Sequence, residues 1–246
     1  MRMMTFIWSI LFLTMPFYAG AWAAGAGPDM TADQALANLQ QGNLRFVAGK
    51  QEHPRQDFTR RDITATKGQH PFATILSCSD SRVPPEVLFD QGVGDIFVVR
   101  VAGNVANVDE AGSIEYAVDH LGTSLLVVLG HTNCGAVTAA VQGAEVHGNV
   151  TALIKSIIPA VVRAKTKDPE ASGETLLNEC IKSNVWQAIE DLFRTSAIVT
   201  AKAKDGKIKV VGAVYDVATG RVNWLGPYAD QDKLTAAYPW GKSGAH

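Results

Sequence analysis

The chain has 246 residues, of which 47% are hydrophobic and 19% are charged, and its formal net charge is −2. This apolar content excludes a disordered chain, and the near-neutral charge argues against a protein that binds nucleic acid through its phosphates. Three cysteines are too few for a disulfide scaffold, so each thiol needs its own explanation. The length is sufficient for one large α/β domain with a sizeable core.

The amino terminus predicts an export signal. Arg2 precedes an apolar run from Phe6 to Ala19, and Ala21-Trp22-Ala23 has the small-x-small pattern of a signal-peptidase site. The run covers about 14 residues, whereas a membrane-spanning helix needs ~20. We therefore expect a signal peptide over residues 1–23 and a mature domain over 24–246. The mature protein is expected to have no membrane span and to be periplasmic or secreted.

Helical and extended patterns alternate along the rest of the chain. Thr31 and Gln34 form a capping-box pattern that predicts an amphipathic helix over Thr31–Gly49, weakened by Gly42. Apolar runs predict strands at Phe72–Ser77, Asp95–Ala102, Ser124–Gly130, Lys207–Val217 and Arg221–Leu225. Helical spacing predicts helices at Val108–Leu121, Gly135–Val141, Val150–Lys165 (broken around Pro159) and Thr175–Ser196. The order indicates an α/β fold: a mainly parallel central sheet flanked by helices, an antiparallel edge hairpin and an N-terminal helical arm.

Two cysteines follow predicted strands, at the point where each strand ends. Cys78 comes directly after one buried strand, and His131 and Cys134 come after another. Ligands of open α/β sheets gather beyond the carboxyl ends of the strands. If the two strands are neighbours, Cys78, Asp80, His131 and Cys134 converge on one crevice. Two thiolates and one imidazole match a zinc site that keeps a fourth position open for water or substrate.

The spacing alone leaves other interpretations open. In an oxidising compartment Cys78 and Cys134 could form a disulfide, or both could be buried free thiols. Asp80 and Arg82 could be an ordinary surface ion pair. Burying a carboxylate, a guanidinium and two thiols together is costly without a ligand, which favours the zinc interpretation. Cys180, inside a predicted helix, is expected to be a small buried hydrophobic residue.

Two motifs carry a resemblance to a known family. CSDSRVPPE at Cys78–Glu86 and HTNCGAV at His131–Val137 closely resemble the β-class carbonic anhydrases, and the resemblance covers most of the mature chain. It implies reversible hydration of carbon dioxide to bicarbonate and a proton by a zinc-bound hydroxide. One Zn²⁺ per subunit would be held by three residues, Cys78, His131 and Cys134.

The same resemblance implies roles for the residues around the metal. Asp80, paired with Arg82, would orient the hydroxide, and in a closed state only it would become a fourth zinc ligand. The substrate side of the site would be formed by Gln69, Phe97, Ala102, Tyr116 and Gly135, although many family members carry Val where this chain has Ala102. The helix over 31–49 resembles an arm that family members exchange between subunits. We therefore expect a homodimer or homotetramer.

One position departs from a pattern found in some bacterial members. Those members hold an inhibitory bicarbonate with a Trp, an Arg and a Tyr. Arg100 and Tyr215 match two of these residues, but Ile75 stands where the Trp would be. We therefore expect an enzyme without this regulation.

Two other functions compete with the enzyme hypothesis. One is an inactive relative that binds zinc, and the other is a thiol–disulfide protein built on Cys78 and Cys134. A protein that only stores zinc would need none of the three residues Asp80, Arg82 and Gln69, so their presence favours an active enzyme. A thiol–disulfide protein would be expected to carry a C-x-x-C pair, which this sequence lacks.

Overall fold

The computed structural model describes residues 30–237, in which five strands form one sheet with helices packed on both faces. The predicted signal peptide, residues 1–23, lies outside the described residues, and it stays a prediction. Within residues 30–237, no helix is both long and apolar enough to cross a bilayer.

The strands lie where the apolar runs predict them. They are β1 Ala73–Ser77, β2 Ile96–Arg100, β3 Leu125–His131, β4 Lys209–Tyr215 and β5 Val222–Gly226. Their order across the described sheet is β2-β1-β3-β4-β5; the pairs from β2 to β4 are parallel, and β5 runs antiparallel to β4. Every residue of β1 and β3 is buried, as expected for central strands covered on both faces. The predicted fold class, a mainly parallel sheet with an antiparallel edge hairpin, is confirmed.

Nine α-helices accompany the strands among residues 30–237. They are α1 Ala32–Val47, α2 Phe58–Lys67, α3 Pro85–Leu88, α4 Val108–Glu115, α5 Gly135–Gln142, α6 Val150–Lys167, α7 Gly173–Thr195, α8 Ala197–Lys204 and α9 Gln231–Ala237. Helix α2 and the short helices α3, α8 and α9 are not among the predicted helices. A 3₁₀ turn covers Ala102–Asn104, and α4 is followed by a π-helical turn over Tyr116–His120, so the predicted helix over Val108–Leu121 changes its winding halfway.

Helix α1 begins at the predicted capping box. The Gln34 amide donates to Thr31 Oγ1 and the Thr31 amide donates to Gln34 Oε1. Ala35 and Leu39 on its inner side are fully buried against the face of the sheet formed by the same chain. A Cβ on Gly42 would lie 1.8 Å from the carbonyl oxygen of Phe89, so this glycine allows a close approach of two backbones.

The prediction that Pro159 breaks its helix is wrong. Helix α6 continues through Pro159 from Val150 to Lys167. A proline removes one backbone hydrogen bond and costs a few kcal/mol in a helix. Here Ile157 and Ala160, on either side of Pro159, are completely buried in the core, and this packing holds the two halves of the helix in line.

Candidate metal centre

The order of the strands brings the predicted ligands together. β1 and β3 are adjacent and parallel, with Ser77 opposite Leu129, so their carboxyl ends lie side by side. Cys78 comes directly after β1, His131 is the last residue of β3, and Cys134 is the residue before α5. The ligand atoms of Cys78, His131 and Cys134 lie within 4.8 Å of one another, and all three residues are buried.

The imidazole of His131 is oriented for a metal. Its Nδ1 lies 2.9 Å from the carbonyl oxygen of Thr132 and donates a hydrogen bond to it. This fixes the proton on Nδ1 and leaves a lone pair on Nε2. Nε2 is buried and has no hydrogen-bond partner among the described residues. A buried acceptor costs free energy unless a partner satisfies it, and a metal ion between Nε2 and the two thiols would do so.

The Cys78 and Cys134 thiols are free, and each changes the pKa of the other. The Cys134 thiol lowers the pKa of the Cys78 thiol, assisted by His131 and the Gly103 amide, whereas burial opposes this shift. The neighbouring Cys78 and then burial raise the pKa of Cys134, while the Val137 and Ala136 amides at the start of α5 oppose the rise. The Cys78 thiol therefore ionises readily, whereas the Cys134 thiol needs a nearby positive charge in order to ionise. A dication supplies that charge, so the donor set fits zinc.

Asp80 lies beside this group and is held by Arg82. Arg82 donates from Nε to Asp80 Oδ1 at 2.9 Å and from Nη2 to Oδ2 at 2.7 Å, and its backbone amide also donates to Oδ1. The Arg82 side chain is the main reason that the pKa of Asp80 lies well below its usual range. Asp80 Oδ2 is 3.9 Å from His131 Nε2. The structure therefore shows the carboxylate paired with Arg82 and adjacent to the three ligands.

Two arginines donate hydrogen bonds to the backbone of the loops that carry the ligands. Arg82 Nη2 donates to the carbonyl oxygen of Asn133, which connects the loop after β1 to the loop after β3. Arg100 donates to the carbonyl oxygens of Cys78 at 3.1 Å and Asp80 at 2.7 Å. The sequence indicates Arg100 only as a match to a bicarbonate site, and this backbone contact could not be predicted because carbonyl partners leave no sequence signal.

The predicted substrate residues fall into two groups. Ala102 lies in the 3₁₀ turn next to Cys78, and Gly135 is the first residue of α5 after Cys134, so both adjoin the metal group. Phe97 and Tyr116 contact each other, with ring centroids 6.1 Å apart, but Phe97 is level with Thr74 near the start of β1.

Gln69 is exposed and precedes β1, whereas Cys78 follows it. The five residues of β1 extend ~17 Å at about 3.3 Å per residue. The length of β1 therefore separates Gln69 and Phe97 from the metal ligands of the same chain. The substrate role of Gln69, Phe97 and Tyr116 stays a prediction. Sequence spacing could not show on which edge of the sheet each residue lies.

Comparisons with known proteins agree with this site. The family model described as carbonic anhydrase matches residues 73–222. Carbonic anhydrase 2 of Mycobacterium tuberculosis is 38% identical over 198 residues, which cover 79% of this chain and 93% of the relative. The carbonic anhydrase of Mycolicibacterium smegmatis is also 38% identical, over 79% of this chain and 94% of the relative.

A solved structure extends the likeness to the fold. The β-carbonic anhydrase of Aspergillus fumigatus superimposes with a TM-score of 0.66 at 27% identity, over 82% of this chain and 95% of the other. The family match includes the Cys-His-Cys group and strands β1 to β4, and it ends at the first residue of β5. The chain belongs to the β-class carbonic anhydrases, the zinc enzymes that catalyse the reversible hydration of carbon dioxide to bicarbonate.

Proposed function

We propose that one Zn²⁺ per subunit is held by Cys78, His131 and Cys134, and that Asp80 and Arg82 direct the hydration of carbon dioxide at this centre. The observation that carries the assignment is the lone pair of His131 Nε2, which is buried among two thiols without a partner among the described residues. When bound, zinc lowers the pKa of a coordinated water towards 7 and so supplies a hydroxide nucleophile near neutral pH.

Asp80 has the properties of a fixed hydrogen-bond acceptor. Arg82 keeps its carboxylate ionised, and its Oδ2 faces the ligand group. The carboxylate can accept the hydrogen of the nucleophile and thereby direct an oxygen lone pair at the carbon of carbon dioxide. The second predicted role, as a fourth ligand in a closed site, requires Asp80 to leave Arg82, and three hydrogen bonds oppose that movement.

The surface beside the ligands suits a small, nonpolar substrate. Ala102 contributes only a methyl group, and Gly135 contributes no side chain at all. Carbon dioxide needs few polar contacts for binding. Bicarbonate, the product, is negatively charged and Arg82 is positively charged. The Arg82 guanidinium is half-exposed beside the metal group, where it can attract the product.

The remaining substrate residues support an oligomer. Phe97 lies on β2, the edge strand of the described sheet, and contacts Tyr116, whereas Gln69 precedes the neighbouring strand β1. An edge strand presents unpaired backbone groups to which a second chain can pair. A second copy placed there could bring these three residues to the metal group of its neighbour. We propose a homodimer, or a homotetramer built from such dimers, in which each site uses residues of two subunits.

We also propose that the mature enzyme is exported to the periplasm or secreted. This proposal rests on the amino-terminal sequence, with its single Arg2, its apolar run and the small residues before position 24. The mass of the protein purified from its native host tests it directly. A mature chain beginning near residue 24 supports export, and an intact Met1 contradicts it.

Stopped-flow hydration of carbon dioxide, with metal analysis of the same sample, tests the proposed centre. We expect one zinc per chain and an activity that a chelator removes and zinc restores. His131→Ala should abolish both zinc and activity, whereas His147→Ala, at an exposed histidine, should change neither. Full activity in His131→Ala would overturn the assignment.

A further inference from the structure

A buried asparagine connects helix α7 to the first predicted zinc ligand. The amide of Gly103 donates a hydrogen bond to the Sγ atom of Cys78 at 3.3 Å. The carbonyl oxygen of the same glycine accepts a hydrogen bond from Asn184 Nδ2 at 2.7 Å. Asn184 is only 1% exposed, so neither bond is shared with bulk water. The path from α7 to the thiol therefore consists of one side chain and one glycine.

Neighbouring helices confine the turn at Gly103 on one side. Its φ is +77°, a conformation that favours glycine, and a Cβ there would lie 2.6 Å from Ile157 Cδ1. A Cβ would also lie 3.2 Å from Ala136 in α5, two residues after Cys134. The turn is thus confined on one side by α5 and α6, and Asn184 fixes it from α7.

We propose that Asn184 is a positioning residue of the metal centre, because it holds Gly103 where its amide donates to the Cys78 sulfur. This inference rests on the zinc assignment proposed above. Hydrogen bonds to ligand atoms orient the ligand and tune how much charge it gives the metal, and their loss typically weakens metal affinity 10–100-fold. The same turn contains Ala102, so Asn184 also fixes one wall of the substrate surface.

A second buried asparagine provides a matched control. Asn43 donates to the carbonyl oxygens of Leu88 and Gly220 and accepts from the Val222 amide. Asn43 is 4% exposed, and none of its three hydrogen-bond partners is a predicted metal ligand. Replacing either asparagine by leucine leaves buried backbone groups unsatisfied and reduces stability. Only the Asn184 change should alter the metal.

The test compares Asn184→Leu with Asn43→Leu at a temperature where both are folded. Zinc affinity is measured by competition with a chromophoric chelator, and the Co²⁺-substituted proteins report the thiolate-to-metal charge-transfer band. We expect Asn184→Leu to bind zinc about 10–100-fold more weakly and to shift the band to longer wavelength, because the sulfur loses a hydrogen bond. Asn43→Leu should match the wild type in both measurements. An unshifted band and an affinity within about twofold of wild type in Asn184→Leu would overturn the inference.

Asn184→Ser keeps the test decisive if the leucine variant does not fold. Serine is smaller and can reach Gly103 through a bridging water, so we expect a smaller loss of affinity in the same direction. Wild-type behaviour in Asn184→Ser would then overturn the inference. A wild-type protein that binds no zinc would instead overturn the proposed centre, so the two failures are distinguishable.

Discussion

The carboxyl edge of β1 and β3 and the outer edge at β2 differ in how many of the predicted site residues they bring together within one chain. At the carboxyl edge of β1 and β3, three ligands, a carboxylate and two arginines contact one another within one chain. At the outer edge, Phe97 on β2 is level with Thr74 near the start of β1 and contacts Tyr116, and the exposed Gln69 precedes β1. One chain supplies the whole metal group at the first edge, whereas we propose that the residues at the second edge act together with another copy of the chain.

The largest effect is expected from removing a ligand at the complete edge. Cys134→Ser replaces a thiolate by a hydroxyl that zinc binds poorly, so the zinc content should fall to near zero and hydration to the uncatalysed rate. Atomic absorption and stopped-flow assays measure the two quantities. Cys180→Ala is the matched control, because Cys180 is buried in the core and outside the ligand group. Equal loss in both variants would show that the thiols act through stability alone.

A large effect should also follow from changing the Asp80–Arg82 pair. Asp80→Asn keeps the size of the side chain but removes the charge and the strong acceptor, and we expect kcat to fall about 10²-fold with zinc retained. Arg82→Ala should release the carboxylate towards the metal and also lower activity. Full activity in Arg82→Ala would refute the proposed switch between paired and metal-bound Asp80.

A substitution at Gln69 should lower the activity by a smaller factor, and the loss should depend on the partner subunit. Gln69→Ala removes one hydrogen-bonding group, and the loss of about 1.4 kcal/mol corresponds to a tenfold lower kcat/KM. Gln142→Ala, at another exposed glutamine, should have no effect. The expected loss in Gln69→Ala alone would not show which chain supplies the residue.

Mixed dimers decide between the two arrangements. A dimer of one Gln69→Ala chain and one His131→Ala chain contains one intact site if Gln69 serves the neighbouring subunit, so about half of the wild-type activity should return. If Gln69 serves its own chain, the mixed dimer keeps only the weakened site. Differently tagged chains, co-expressed and purified through both tags, allow this measurement.

The smallest effect is expected in the pH dependence. Arg82 holds the pKa of Asp80 well below its usual range, so this carboxylate remains ionised at all pH values near neutral. A group whose folded pKa is depressed contributes stability above its unfolded pKa, near 4, and that stability is lost only as the pH falls further. Protonation of Asp80 therefore does not cause a fall in rate between pH 6 and 9.

Ile75 points to the same simple profile, because it stands where the bicarbonate-regulated members have a tryptophan. The pH–rate profile should follow the loss of one proton from the nucleophile. A steep, cooperative loss of activity as the pH falls towards neutral would contradict this expectation.

The sequence predicted the buried parts of the molecule better than its edges. Continuous apolar runs located all five strands, and Thr31 with Gln34 located the start of α1, because these signals are local. The helix break predicted at Pro159 is wrong, because core packing on both sides of the proline outweighs its local tendency to break a helix. The helix beginning after Ser196 was missed because the same serine also marks the end of α7.

The metal ligands were predictable and their supporting residues were not. Cys78, His131 and Cys134 follow strands, and their residue types suit zinc, so spacing and chemistry together indicated the group. Asn184 lies 81 residues from Gly103 and acts through a backbone carbonyl, which any sequence can provide. Contacts of this kind are set by how α7 packs on the sheet, and no local pattern records them.

Anomalous diffraction at the zinc absorption edge, on crystals of the protein purified with its metal, would locate the metal directly. We expect one zinc per chain at about 2.0–2.1 Å from His131 Nε2 and about 2.3 Å from the Sγ atoms of Cys78 and Cys134. A disulfide between Cys78 and Cys134, or zinc bound only at other residues, would contradict it.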